Sequence, residues 1–343
     1  MTSGEPMSLP LPMEARSVAE LPPPPGWQYE PKWDGFRAVA GRDGDRADIR
    51  SKSGKSLARF FPEIVEVLLA TKARRYVLDG ELILPLGGVL SFDALQQRLH
   101  PAASRILRLS RETPAQLMLF DCLALGNKDL TAAPLRERRA ALERFHKDEG
   151  TPTLLLSPAT ERAEEATAWL KRSGGALDGI IAKQIDLPYR SGERAMMKVK
   201  NYRSADCVVG GFRRTEDGTG AASLLLGLYD EAGALNHVGF TSSFKADERP
   251  LLLQKLEPLA GAPGFTGKAP GGPSRWNRGA ESASEPVRPE LVVEVVYDQV
   301  TAGRFRHGTR FLRWRPDKGP QQCTCDQLQM ELRPAELDQL LKA

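Results

Sequence analysis

The chain has 343 residues, with 48 Lys and Arg against 44 Asp and Glu, a formal charge of +4. At 27% charged and 41% apolar it has the make-up of a globular protein, which excludes a disordered or fibrous chain, and its length suits about two domains, each with its own core. No apolar run reaches the ~18 residues of a membrane span; Met1 to Pro25 lacks an export signal, and four cysteines make no disulfide framework, so a reducing cytoplasm is expected.

Leu21-Pro22-Pro23-Pro24-Pro25-Gly26 closes an extended leading segment without helix donors. From Trp27 to about Asn201 strand-like runs alternate with amphipathic helices. Val77 to Leu84 reads as a strand, Ser91 as the N-cap of a helix toward Leu99, and Leu117 to Phe120 as a short buried strand. Pro134 to Lys147 reads as a helix with Leu135, Ala141, Leu142 and Phe145 on one stripe. Thr160 caps the next helix, with Glu161, Glu164 and Glu165 early, Lys171 and Arg172 late, and Gly174 past its end. After Lys200 short strands take over: Cys207 to Phe212, Ser223 to Tyr229, Leu235 to Thr241 and Leu291 to Tyr297, with Pro258 to Pro273 as a loop. Strands separated by turns suggest a small β-barrel, and the boundary falls near residues 200–204.

The second part is neutral, 18 basic against 18 acidic residues, yet Arg304, Arg306, Arg310, Arg313, Arg315 and Lys318 crowd one segment with Asp317 as their single acid. In an extended Leu312-Arg313-Trp314-Arg315 run the two arginines share one face and Leu312 and Trp314 the other. Either this is an exposed basic strand over a small core, or it is a clamp for phosphate oxygens.

The strongest string is Glu30-Pro31-Lys32-Trp33-Asp34-Gly35-Phe36-Arg37. Alone, Lys-x-Asp-Gly describes a strand ending in a turn beside a solvated lysine. It is followed in order by Ser51-Lys52-Ser53-Gly54, Leu78-Asp79-Gly80-Glu81, Phe120-Asp121, Asp178-Gly179-Ile180-Ile181-Ala182-Lys183, Met197-Lys198-Val199-Lys200 and Arg313-Trp314-Arg315-Pro316-Asp317-Lys318.

That ordered set of seven motifs resembles the ATP-dependent DNA ligases, covalent nucleotidyltransferases, and above all their compact bacterial members of the end-joining and repair group. The likeness runs from about Trp27 onward. It implies an α+β chain: a nucleotidyltransferase domain of ATP-grasp-like mixed α/β architecture over residues 1–202, then an OB-fold β-barrel over 203–343. It implies ATP and Mg²⁺ as cofactors, AMP held covalently as an intermediate, and a monomer sealing nicked duplex DNA in the cytoplasm. A repair polymerase, primase or end-binding protein is its expected partner.

Carried over residue by residue, the likeness makes Lys32 the nucleophile. An ordinary lysine, with a pKa of about 10.4, is protonated and inert at neutral pH. Cations nearby destabilise the ammonium, and Lys198 and Lys200, two apart on one strand face, with Arg37, are expected to surround the α-phosphate with it. Glu81 and Asp178 are the Mg²⁺ carboxylates, Glu81 also touching the ribose; outside this set Asp178 would read as a turn residue after Ser173-Gly174-Gly175. Glu30 should meet the adenine edge and Phe120 its face, although a buried phenylalanine more often only packs. Arg37, Lys52, Arg194 and Lys200 should contact sugar and phosphates. Arg310, Arg313, Arg315, Asp317 and Lys318 should serve the ATP pyrophosphate, and Arg275, Arg278 and Arg288 the DNA backbone. Two positions depart from the family: Lys52 stands where Arg is usual, and Asp178 where Glu is usual. Rival readings are an RNA ligase or capping guanylyltransferase and a non-catalytic DNA-binding scaffold. Cys323-Thr324-Cys325 lacks a partner pair for zinc, and His100, His146, His237 and His307 form no acid–base group.

Overall fold

Strands dominate the molecule, as the β-branched and alternating runs require. The computed structural model describes residues 8–86, 89–172, 177–200, 202–261, 263–270 and 284–328. The chain divides into two compact units, one ending at Asn201 and the other starting at Tyr202.

Among the described residues the first unit holds two main sheets, beside a two-stranded ribbon of Pro85–Leu86 and Val89–Leu90. Its strands are β1 (Ala15–Ser17), β2 (Trp27–Lys32), β3 (Phe36–Asp43), β4 (Arg46–Ser51), β5 (Arg75–Ile83), β6 (Gln116–Leu125), β7 (Leu154–Leu156), β8 (Gly179–Gln184) and β9 (Met196–Lys200). One sheet runs β1-β9-β8-β2, the other β7-β6-β5-β3-β4. The helices are α1 (Pro62–Ala70), α2 (Phe92–Gln97), α3 (Ala103–Glu112), α4 (Leu135–Glu149) and α5 (Ala163–Arg172). Ser91 caps α2 as expected, its hydroxyl accepting from the Ala94 amide. Thr160 does not cap α5. Its backbone is taken up by a bridge to Tyr29, so the helix begins at Ala163, and the Thr160 hydroxyl instead accepts from the Arg162 amide. Gly174 lies outside the described residues.

Helix α4 buries Leu135, Ala141, Leu142 and Phe145, and with them Arg138 on the same stripe. That guanidinium is fully buried and donates to both oxygens of Asp121 on β6 at 2.8 and 3.1 Å, and to the carbonyls of Ala133 and Leu187. Removing one member of such a pair strands the other's charge. Arg138→Met should therefore cost about 3–5 kcal/mol, read by urea unfolding. A loss under about 1 kcal/mol would mean that water already reaches Asp121.

The second unit is a curved antiparallel ladder: β10 (Arg203–Arg214), β11 (Ala221–Tyr229), β12 (Leu235–Thr241), β13 (Val292–Tyr297) and β14 (Arg310–Trp314), in the order β12-β11-β10-β13-β14, with α6 (Arg249–Leu256) packed beside β11. The edge strands β12 and β14 meet through a bridge between Thr241 and Thr309, where the Thr309 amide donates to the Phe240 carbonyl at 3.0 Å. Glu285–Pro286 adds a short sixth strand on β10, and the Thr241–Thr309 link draws the ladder toward the barrel form without a continuous closing ladder. Val208, Val209, Leu224, Leu226, Val293 and Val295 fill its core. On β14 the expected alternation fails at a bulge: Glu294 pairs Arg313 while Val295 pairs Phe311, so Leu312 is skipped and left 41% exposed. Phe311 and Trp314 pack on the core in its place. Among the described residues no helix is long and apolar enough to cross a membrane.

Candidate active site

The floor of the site is set by register. Lys32 lies opposite Gly179, which lies opposite Lys200; the next row is Glu30, Ile181 and Lys198. Because side chains alternate along a strand, Glu30, Lys32, Ile181, Lys183, Lys198 and Lys200 all emerge on one face. Gly179 must be glycine: at φ +148° its backbone approaches β9 so closely that a Cβ would lie 2.0 Å from the Val199 carbonyl oxygen. Gly35, in the turn after Lys32, is held as tightly, since a Cβ there would stand 2.0 Å from the Leu82 oxygen. The glycine of Lys-x-Asp-Gly thus lets the chain leaving Lys32 come in tightly against β5 as β3 begins.

That second sheet supplies Arg37, directly opposite Glu81 on the neighbouring strand, and Phe120 from β6. The cleft between these surfaces is lined by Glu14, Glu30, Lys32, Arg37, Lys52, Glu81, Phe120, Lys183 and Lys198, among others. Asp178, 7% exposed and next to Gly179, forms an ion pair with the Lys32 ammonium, and its amide donates to the Lys32 carbonyl. Glu30, Lys32, Arg37, Lys52, Glu81, Phe120 and Lys198 therefore share one cleft, with Asp178 on its central amine.

Burial drives the Glu81 carboxyl up to about 7, the charges of Arg37 and Lys32 pulling back and those of Asp34 and Asp79 adding to the rise. The Lys198 ammonium is pushed below its ordinary value by burial, then by the charges of Lys32 and Lys200, with Asp178 opposing. Arg37, half-buried, loses solvation at a cost to its charge, but Asp79 outweighs this: both carboxylate oxygens accept from the guanidinium, at 2.7 and 2.6 Å, and the arginine is held above its ordinary range. Tyr189 completes that knot by donating to Asp79 at 2.6 Å.

Phe120 both packs and faces the cleft. It belongs to a buried cluster with Tyr29, Trp33 and Trp169, while Arg37 and the Lys183 ammonium lie 4.5 and 4.7 Å from its ring centre. Glu30 is 2% exposed and pairs with Lys183 at 2.8 Å, and accepts from the Gln28 amide at 2.7 Å. Lys52 and Arg194 lie at the rim, 61% and 75% exposed, and converge on Glu14 at 2.8 and 3.8 Å. The hydrogen bond from Lys52 holds Glu14 below the usual carboxylate range.

Arg310, Arg313, Arg315, Asp317 and Lys318 belong to the second unit. Arg313 pairs with Glu294 at 2.7 Å, Arg315 with Asp206 and Asp317 both at 2.9 Å, and Lys318 with Asp206 at 2.7 Å. Of the three loop arginines expected at DNA, Arg288 pairs with Glu290 at 2.8 Å; Arg275 and Arg278 lie outside the described residues.

A family model described as "ATP dependent DNA ligase domain" matches residues 12–200, and one described as "ATP dependent DNA ligase C terminal region" matches 217–318. The chain belongs to the ATP-dependent DNA ligases. DNA ligase C1 of Mycolicibacterium smegmatis is 46% identical to this ligase over 335 residues, covering 94% of each chain. The multifunctional non-homologous end joining protein LigD of Mycobacterium bovis is 30% identical over 302 residues, 86% of this chain but 37% of that one. A solved structure of the Lig E DNA ligases, described as DNA binding with a minimal scaffold, covers 90% of this chain and 100% of its own at 17% identity and a TM-score of 0.53, a likeness of fold.

Four residues that touch this ligase's cleft or its supports received no role from the sequence: Glu14 and Tyr189, and Asp79 and Lys183, which stand inside quoted motifs. Lys183 had a signal, a lysine directly after the apolar run Ile180-Ile181-Ala182 that must find an acid if buried. Asp79 and Tyr189 meet only through tertiary structure. Glu14 lies in the leading segment, which reads as an extended approach but contributes β1 and one wall of the cleft.

Proposed function

We propose that this ligase seals 5′-phosphate/3′-hydroxyl nicks in duplex DNA through an adenylate carried on Lys32. The amine attacks the α-phosphorus of ATP; the N–P bond forms, the bond to the β-phosphate oxygen breaks, and pyrophosphate leaves as the nitrogen gives up its proton. An oxygen of the nick 5′-phosphate then takes the AMP, breaking the N–P bond and restoring the amine. The 3′-hydroxyl attacks the activated 5′-phosphorus, loses its proton, and expels AMP. The observation that carries this reading is the Lys32 ammonium in a cleft, paired with Asp178 and on one strand face with Lys198 and Lys200.

Lys198, Lys200, Lys52 and Arg194 bind and neutralise phosphate; Glu30 and Phe120 shape the base pocket; Arg37, fixed by Asp79, braces Phe120. Glu81 and Asp178 are the residues that hold Mg²⁺. Both carboxylates neighbour the same amine, and two carboxylates completed by substrate phosphates and water suit this hard cation better than a cage made wholly of protein. When bound, the cation supplies charge neutralisation on the phosphates. Arg310, Arg313, Arg315, Asp317 and Lys318 serve the departing pyrophosphate. A role in repair or end joining, beside a polymerase or end-binding partner, rests on the relative named for non-homologous end joining; we place the enzyme in the cytoplasm as a monomer.

Incubation with ATP labelled at the α-phosphate and Mg²⁺ should label the protein, and a nicked duplex should chase the label into DNA-adenylate and free AMP as product is sealed. Nicked RNA and labelled GTP, run alongside, should react at least ~10²-fold more slowly. Equal labelling by GTP, or preferential sealing of RNA, would replace this reading with the capping or RNA-ligase chemistry.

A further inference from the structure

The cations at the end of the second unit stand on a mount. Arg315 has no idle side of its fork: Nε and Nη2 donate to the two oxygens of Asp317 at 3.0 and 2.9 Å, and Nη1 donates to Asp206 Oδ1 at 2.9 Å. The other oxygen of Asp206 accepts from Lys318 Nζ at 2.7 Å. One carboxylate thus holds an arginine on one oxygen and a lysine on the other.

Asp206 is built to stay in place. It sits within β10, 12% exposed, and the Gln327 side chain grips its backbone from both sides, accepting from the Asp206 amide at 3.0 Å and donating to its carbonyl at 3.2 Å. Glu294 stands directly opposite on β13. Two carboxylates facing each other across a strand pair repel. The pair is offset here by Arg313 on Glu294 at 2.7 Å, by Lys318 on Asp206, and by Arg315, which also reaches Glu294 at 3.8 Å. Arginine, planar and bonded at three nitrogens, acts as a strut. An ammonium has three donors; that of Lys318 spends one on Asp206 and meets no other partner among the described residues.

We propose that Asp206 is a positioning residue for adenylation: braced by Arg315, it aims the Lys318 ammonium so that the remaining N–H donors meet the polyphosphate of ATP. This rests on the reading above in which Lys318 serves the departing pyrophosphate. Arg315 then contributes by bracing the lysine, and the working cation is Lys318.

Single-turnover adenylation of Asp206→Asn, Lys318→Ala and the double variant, beside sealing of a pre-adenylated nick by the same proteins, tests the assignment. The asparagine keeps the shape but has one acceptor oxygen for two cations. Asp206→Asn should slow adenylation at least tenfold, and at least fivefold more than it slows sealing. The double variant should be no slower than Lys318→Ala alone. Arg315→Lys, which keeps the charge but cannot span both carboxylates, should show the same selective loss. Equal loss in both reactions, or independent multiplying losses in the double variant, overturns the role of Asp206. Loss with Lys318→Ala but none with Asp206→Asn also removes it while leaving Lys318 in place. Adenylation left intact by Lys318→Ala instead removes the reading on which it rests.

Discussion

Lys32→Ala should lower protein labelling from α-labelled ATP by at least ~10³-fold, because no other group can form the N–P bond from the same position. The same variant should still join a nick that already carries AMP, since that step uses the 3′-hydroxyl and AMP as leaving group and needs no lysine amine. Lys32→Arg should fail as completely as alanine: its guanidinium keeps charge and reach but does not give up a proton in a protein. Cleft geometry makes the prediction selective. Lys32 shares its strand face with Lys198 and Lys200 and touches Asp178, so positive charge is concentrated around this amine, with one carboxylate beside it. Burial is the first cause of the depressed Lys198 ammonium, and the charges of Lys32 and Lys200 add to it. Persistent labelling of the alanine variant would move the nucleophile elsewhere, and Lys198 would be the first candidate.

That Lys198 and Lys200 share one face was legible in the sequence from alternation alone, and the ordered motifs, through the family likeness, pointed to Lys32, Glu81 and Asp178 as their neighbours. What lies between those residues was not legible. That Gly179 separates Lys32 from Lys200 is a fact of register between three strands distant in sequence. The pairing of Arg37 with Asp79, of Glu14 with Lys52 and Arg194, and of Asp206 with Arg315 and Lys318 likewise depends on which strand edges meet. In the second unit alternation correctly grouped Arg313 with Arg315, both reaching Glu294, yet misjudged Leu312, because a single bulge shifts the phase of every later side chain. Helix α4 was drawn correctly by its apolar stripe, but a stripe of apolar residues cannot announce that a buried arginine completes it.

Glu81→Gln should stabilise the metal-free protein at alkaline pH while removing its activity. In the folded protein burial holds the Glu81 carboxyl at about 7, against an ordinary 4.5. Between these values the folded protein keeps a proton that the unfolded chain has released, so unfolding gives off protons and a rise in pH favours it. The contribution is intact below 4.5, declines across the window, and is fully lost above 7. Converted by linkage, that gap is worth about 3 kcal/mol at most. With a chelator present, Glu81→Gln should raise Tm by about 5–10 °C at pH 8, with the advantage shrinking toward pH 5. Added Mg²⁺ and ATP should raise Tm of the parent protein more than that of the variant, and adenylation by the variant should fall at least ~10²-fold. The two effects have one cause. An ionised carboxylate in a cleft is a liability until a cation and phosphates arrive beside it, and glutamine removes the liability together with the ligand. A variant equally stable to its parent at pH 8 and pH 5 would show that the carboxylate is not desolvated, and one that still adenylates at the parent rate would exclude Glu81 from the cation site.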